Sequence, residues 1–329
     1  MESPKISLVI PIRDEEESIE NLLESINRQT YQPDEVVLVD GGSTDKTVEI
    51  VERMAAGNSK IKLIKTDEAT PGKARNIGIE NAANDWIALT DAGIKLEPDW
   101  LAELVIAASS IPPRQRKAAA SPDQGGELDA DIVYGNFSPV NGNFFEKCAA
   151  ISYVPSQKAV GIRGKIIASC LLRKGVWEAV GGFPDLRAAE DLIFMEKAEK
   201  QDFKIAIAPK AMVFWSLQPA LSSTFAKFVL YSKHNVWAGR QWDWHYGVLK
   251  QYLILLPFLI MAAVHSLWWL AAIPLWLLAR TAKRILAHRY EFGMGILFNP
   301  LIVFGVAGLI LVIDTATFAG WFQAVLYKK

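Results

Sequence analysis

The chain has 329 residues, of which 51% are hydrophobic, and a formal net charge of −1. That length exceeds one average domain, and the near-zero charge argues against nucleic-acid binding through bulk positive potential. Cys148 and Cys170 stand in no CxxC or metal-like spacing, so neither a disulfide framework nor a cysteine-ligated metal site is expected, only two buried free thiols in a reducing compartment.

The N-terminal MESPKISLVIPIRDEEES has too short an apolar run for a secretory signal and turns acidic at once, so the soluble part is expected not to cross a membrane. Within it, Ile6 to Pro11 (ISLVIP) is a near-continuous apolar run, the pattern of a strand buried on both faces. Ser18 to Gln29 then places Ile19, Leu22, Leu23 and Ile26 at helical spacing. Val36 to Asp40 (VVLVD) reads as a second buried strand, and GGSTDKT as a tight turn into a helix carrying Val48, Ile50, Val51 and Met54. Ile61 to Ile64 is a weaker strand. The Pro71-Gly72 turn leads to a helix with Ala74, Ile77 and Gly78, and Trp86 to Thr90 (WIALT) is a fourth strand. Pro98 suits the first position of a helix through Trp100, Leu101, Leu104 and Val105. Residues 111–130 lack periodicity and read as a surface loop, with Arg114, Arg116 and Lys117 solvated. Strand character resumes at Ile132 to Tyr134 and at Phe203 to Ala208. Repeated β-α units predict an α/β domain with a doubly wound, mainly parallel sheet.

In such sheets ligands bind outside the carboxyl ends of the strands. The first strand ends in Pro11-Ile12-Arg13-Asp14-Glu15-Glu16, the second in Asp40-Gly41-Gly42-Ser43 and the fourth in Asp91-Ala92-Gly93. Each alone is an ordinary turn. Together they describe a pocket for ribose hydroxyls and a diphosphate, since glycines admit backbone to the ligand and carboxylates accept hydroxyl protons or hold a cation. No GxGxxG follows the first strand and no GxxxxGK[ST] is present, against a dinucleotide fold and a P-loop.

The segments VIPIRDEEESI, VVLVDGGSTDKT, GKARNIGIENAANDWIALTDAG and GGFPDLRAAEDLIF, in that order, resemble the family 2 glycosyltransferases, which have the GT-A fold. The resemblance spans roughly residues 5–215. It implies inverting transfer from a nucleoside-diphosphate sugar. By motif, Pro11, Arg13 and Glu15 would line the nucleoside, Asp40 with Gly42 the base or ribose, and Lys73 and Arg75 the base or diphosphate. Asp91 holds the first position of the family's DxD motif and is the implied ligand for Mg²⁺ or Mn²⁺. The third DxD position is Gly93 and the second acid of the usual Asp-Asp pair is Gly41; Lys73 and Arg75 are the alternative source of neutralising charge. Glu190-Asp191 matches the ED pair, with Asp191 implied as base and Glu190 as a second contact. The stretch WAGRQWDWH does not match the QxxRW motif of processive members, which points to single addition.

Composition then changes. From Gln251 to Ala279 there is no Asp, Glu, Lys or Arg, and from Phe292 to Tyr327 only Asp314. Charged side chains cost about 2.5–3.5 kcal/mol each at a bilayer centre, so these stretches suit hydrocarbon. The expected organisation is a catalytic domain over residues 1–220, an interfacial aromatic segment over 221–247 and a transmembrane region over 248–329. The last comprises a helical hairpin over 248–279 turning near His265-Ser266, a basic loop over 280–291 and a third span over 295–317. The positive-inside rule puts Arg280, Lys283, Arg284 and Arg289 in the cytoplasm, beside a cytoplasmic catalytic domain, and Lys328 and Lys329 outside. Asp314 is expected to be functional within the membrane or to reach the far interface. His234 and His245 show no metal-ligand spacing.

The sequence thus predicts a multi-pass protein of the cell membrane whose partners are a nucleoside-diphosphate sugar, membrane lipids and a lipid or lipid-linked acceptor, with no nucleic acid. The competing expectation is a nucleotide-sugar-binding membrane scaffold that has lost turnover, which Gly41 and Gly93 would favour.

Overall fold

Strands form where apolar residues run without a break. In the computed structural model, which describes residues 3–109 and 128–327, β1 (Ile6–Ile12) and β2 (Glu35–Asp40) are buried along almost their whole length. Between them α1 (Ile19–Asn27) sinks Ile19, Leu22, Leu23 and Ile26, and α2 (Thr47–Ala56) leads to β3 (Ile61–Lys65). Next, α3 (Pro71–Glu80) starts at a Thr70 cap, whose hydroxyl accepts the Lys73 N–H, with Pro71 in its first turn. β4 (Trp86–Leu89), β5 (Ile94–Leu96), α4 (Trp100–Ala108) and β6 (Ile132–Pro139) follow. Pro98 lies two residues outside α4, because Asp99 is the cap. The sheet is completed by β7 (Cys170–Arg173) and β8 (Ile205–Trp215). Two helices stand between these: α6 (Lys174–Val180) and α7 (Glu190–Glu199), while α5 (Phe144–Tyr153) precedes β7.

The eight strands run in the order β3-β2-β1-β4-β7-β6-β8-β5. The pairs β1–β2, β1–β4 and β2–β3 are parallel, in the doubly wound pattern the β-α repeat predicts. Beyond β4 the pairing changes: β4–β7, β6–β7 and β5–β8 are antiparallel. The sheet is therefore mixed. Crossover helices, which parallel pairing requires, are confined to the first four strands.

The chain divides into two units, Met1–Ser138 with Gly164–Ser216, and Pro139–Arg163 with Leu217–Lys329. The sequence reading placed 139–163 in a continuous catalytic domain. Instead, α5 belongs to the second unit because its buried face (Cys148, Ala149, Ile151) needs a packing partner and finds it on a C-terminal helix: a side chain at Gly305 would lie 2.7 Å from Cys148 Sγ. Both cysteines are free and buried.

The second unit is helical. It contains α5, α8 (Leu221–Trp237), α9 (Gln241–Leu253), α10 (Leu256–Val264), a 3-10 turn (Leu267–Ala271), α11 (Ala272–Ala287), the short α12 (Arg289–Phe292), a second 3-10 turn (Met294–Phe298) and α13 (Pro300–Leu326). Helix α10 ends at Val264 and the 3-10 turn begins at Leu267, so the helical run breaks at His265-Ser266. Arg280, Lys283 and Arg284, however, are not in a loop. They lie in α11, which continues because Thr281 and Ile285 extend its buried face. Asp314 is buried among its neighbours. It is 3% exposed, accepts the Arg280 guanidinium at 2.6 and 3.2 Å and the Tyr252 hydroxyl at 2.9 Å, and so ties α9 and α11 to α13. His245 bonds Ser232, which also meets the Thr317 carbonyl at 2.6 Å. Among the described residues, two stretches are long and apolar enough to cross a membrane, Gln241–Val264 and Pro300–Leu326. The second begins five residues after the predicted start of the third span, behind an Asn299 cap that accepts the Leu301 and Ile302 N–H groups. Arg114, Arg116, Lys117, most of the loop 111–130, Lys328 and Lys329 lie outside the described residues.

Candidate active site

The carboxyl ends of β1, β2 and β4 come together in the first unit, as the sheet order requires. Two loops there are stitched by side chains. The Asp14 N–H donates to Ser43 Oγ at 2.9 Å, the Thr44 N–H to Asp14 Oδ1 at 2.8 Å, and the Glu15 N–H to Thr47 Oγ1 at 2.7 Å. Asp40 turns inward on its own loop, accepting the Gly42 and Ser43 N–H groups and the Ser43 hydroxyl. No second acid fits beside it, since a side chain at Gly41 would meet the Ala69 carbonyl oxygen at 2.7 Å. Pro11 and Arg13 are half-buried on the same rim.

Glu15 and Gly93 lie close together where the β1 and β4 ends meet. A Cβ at Gly93 would stand 3.6 Å from Glu15 Oε2, with φ at +72°. Burial pushes the Glu15 carboxyl up; a bond from the Ser18 hydroxyl opposes this, and Asp45 and Asp91 add to it. Lys73 is exposed on the first turn of α3.

Arg75 lies at the centre, 3% exposed. Its Nη1 donates to Glu190 Oε1 at 2.7 Å and its Nη2 to Asp91 Oδ1 at 2.5 Å, and its guanidinium stands 5.5 Å over the Phe183 ring. Burial alone would lower its pKa; Asp91 and then Glu190 outweigh that and hold it above the ordinary value. Sequence reading set Arg75 towards the base or diphosphate, whereas both its arms are committed to carboxylates of the site itself.

Glu190 and Asp191 open α7. The residue before them, Ala189, has φ +70°, an uncommon conformation for a residue with a side chain. Glu190 is buried against Arg75. Asp191 is half-buried and accepts the Leu192 N–H at 2.7 Å. Burial raises both carboxyls; for Asp191 the pull of Arg75 opposes it and Asp91 reinforces it. With Glu190 bound to Arg75, Asp191 is the ED carboxylate left half-exposed.

One residue within the GKARN motif went unread. Asn76 accepts the Phe183 N–H and the Trp177 indole N–H, each at 2.8 Å, and donates to the Phe183 carbonyl at 2.8 Å. The signal was its position beside Arg75, but its partners are more than a hundred residues away.

A divalent cation is the cofactor the sequence resemblance implies. The residues present do not fit one held by protein carboxylates: Asp91 gives an oxygen to Arg75, residue 93 has no side chain, and among the described residues no three His, Cys, Asp or Glu groups are arranged to hold a metal.

Comparison with known proteins agrees with the fold. EpsH of Bacillus subtilis is 32% identical over 135 residues, 40% of this chain and 39% of EpsH. Glycosyltransferase AglE of Haloferax volcanii is 25% identical over 213 residues, 62% of this chain and 64% of AglE. The chain thus spans less than two thirds of these relatives. Among solved structures, the mannosyltransferase PcManGT of Pyrobaculum calidifontis, in complex with GDP-Man and Mn²⁺, superimposes with a TM-score of 0.56 at 18% identity, covering 100% of this chain and 89% of PcManGT. The model of Glycosyl transferase family 2 matches residues 7–113. With its mixed sheet and polar strand ends, the first unit has the GT-A fold, and about a third of the chain is similar to Glycosyl transferase family 2.

Proposed function

We propose that the protein transfers a sugar from a nucleoside-diphosphate sugar to an acceptor hydroxyl with inversion, at the cytoplasmic face of a membrane, and that the acceptor is a lipid or lipid-linked. The observation that carries the reading is the division of labour in the ED pair: Arg75 neutralises Glu190, while Asp191 stays half-exposed with a raised pKa. Asp191 takes the proton of the acceptor hydroxyl as its oxygen bonds to the anomeric carbon. The bond from that carbon to the diphosphate breaks on the opposite face, and the electron pair leaves with the nucleoside diphosphate. One carboxylate suffices, because the leaving group needs positive charge rather than a proton. Lys73, exposed on the first turn of α3, supplies that charge in this reading. Arg13, Glu15, Asp40 and Gly42 hold the nucleoside.

The membrane location rests on the charge-free stretch 251–279 and on the exposed apolar residues Leu256, Ile260, Val264, Leu267 and Trp268, the last 86% exposed. The test is release of nucleoside diphosphate from a panel of UDP- and GDP-sugars by detergent-solubilised protein, with and without membrane lipid extract. Turnover that depends on the extract is expected. Donor binding with no turnover under any condition would contradict transfer and fit a scaffold.

A further inference from the structure

Helix α3 does more than present Arg75. Its first six residues seat the turn that precedes α7. Thr70 Oγ1 donates to Asp185 Oδ1 at 2.6 Å. Gly72 lies so close to the turn that an added Cβ would be 2.1 Å from the Pro184 carbonyl oxygen and 3.2 Å from Glu190 Cβ, so no side chain fits there. Asn76 binds both backbone groups of Phe183 and the Trp177 indole, using its carbonyl oxygen twice and its amide once. Phe183 in turn stacks on Phe194 of α7, with centroids 4.1 Å apart. The path from Asn76 to the helix that carries Asp191 is therefore two contacts long.

We propose that Asn76 is a positioning residue for the transfer reaction: by fixing Phe183 it sets α7, and with it Asp191, against the donor-side acid Asp91 that Arg75 also holds. This rests on the glycosyl-transfer reading above. The half-buried Asn76 amide makes three side-chain bonds, two to the turn at Phe183 before α7 and one to Trp177 of α6. The nucleoside groups Arg13, Glu15 and Asp40 lie instead at the ends of β1 and β2. Catalytic geometry is sensitive at this scale, a displacement of about 1 Å costing up to about 10²-fold in rate. Asn76 thus affects turnover and leaves nucleotide binding alone. It also keeps Asp191 within the field of Arg75, which holds the Asp191 carboxyl lower than burial alone would.

The test compares Asn76→Ala and Asn76→Asp with wild type in the full chain. Asn76→Asp keeps an acceptor for the Phe183 and Trp177 N–H groups but sets a carboxylate oxygen against the Phe183 carbonyl in place of the donor. Expected are a fall in kcat of about 10–10²-fold for Asn76→Ala, a smaller fall for Asn76→Asp, unchanged affinity for UDP or GDP titrated alone, and faster amide exchange at Phe183. The acid limb of the kcat profile should move to higher pH as Asp191 drifts from Arg75. Wild-type kcat in Asn76→Ala, or a kcat loss matched by equal loss of nucleotide affinity, would overturn the proposal. Absence of turnover in the wild type would sink the transfer reading itself, a result visible before any variant is made.

Discussion

Arg75 on α3 and Glu190 on α7 stand 115 residues apart in the chain and 2.7 Å apart in space, both buried. The second arm of Arg75 holds Asp91, so a single guanidinium links the end of β4 to the start of the helix that carries the proposed base. Removing one member of such a buried pair leaves an uncompensated charge and costs about 3–5 kcal/mol. Arg75→Met should therefore lower the unfolding free energy by that order, leaving Glu190 and Asp91 facing each other without a cation. Arg75→Lys, with one ammonium in place of a two-armed fork, should recover part of it. Equilibrium denaturation in urea measures both, and a loss below about 1 kcal/mol for Arg75→Met would show that the pair contributes little.

Ionised Asp191 works against folding. Burial raises its pKa, so the folded state binds the proton more tightly than the unfolded chain does. The associated stability is present below the unfolded value and is lost as pH rises through the raised folded value. Asp191→Asn removes the penalty and keeps an oxygen for the Leu192 N–H. The variant should melt above wild type near neutral pH, with the difference shrinking in acid. Melting curves across pH test this, and a variant that melts lower at neutral pH would contradict it.

The same raised carboxyl sets the pH dependence of the rate. Asp191 acts as a base only when ionised, so kcat should rise along an acid limb lying above the usual aspartate range. An acid limb at or below the ordinary value would place the base elsewhere, most simply on an unburied carboxylate.

Metal dependence should be weak in the wild type and inducible. Gly93 has φ +72°, a conformation that Asp tolerates better than most residues, and open space apart from Glu15 Oε2 at 3.6 Å. Gly93→Asp should add a carboxylate near the free oxygen of Asp91 and sharpen the response to Mn²⁺, with turnover reduced or unchanged. Asp91→Ala should be the more damaging change, because it also frees one arm of Arg75. Activity against metal concentration, with and without chelator, decides the matter. Abolition of wild-type activity by chelator would contradict the weak dependence.

The buried strands were legible because their residues are apolar on both faces: Ile6 to Pro11, Val36 to Asp40 and Trp86 to Thr90 match β1, β2 and β4 to within a residue at either end. Shorter elements were not. β5 has three residues and β7 four, too few for a period to show. The half-sheet reversal beyond β4 depends on pairings that no local pattern encodes. The motifs located the site residues, but the fact that Arg75 spends both arms on Asp91 and Glu190 belongs to tertiary structure. So does the attachment of α5 to α13, since the apolar face of α5 would suit either unit. The end of the hairpin was misread for a different reason: clustered Arg280, Lys283 and Arg284 resemble a loop, although each is a good helix former.

Membrane topology can be read by labelling. If α13 crosses the bilayer, Lys283→Cys should react with an impermeant maleimide from the cytoplasmic side and Tyr327→Cys from the opposite side. Cys148 and Cys170 are buried and should stay silent. Reaction of both introduced cysteines from one side would mean that α13 does not cross.

The central claim is that Asp191 is the base. Asp191→Asn preserves size and hydrogen bonding and removes only the proton acceptor, a role worth roughly 10²–10⁴-fold. The measurement is kcat for transfer alongside the dissociation constant for the nucleoside diphosphate, in wild type and variant. A loss of kcat in that range with nucleotide affinity unchanged within a few fold is the predicted result; transfer at half the wild-type rate would contradict it and move the base to another carboxylate, Glu190 first.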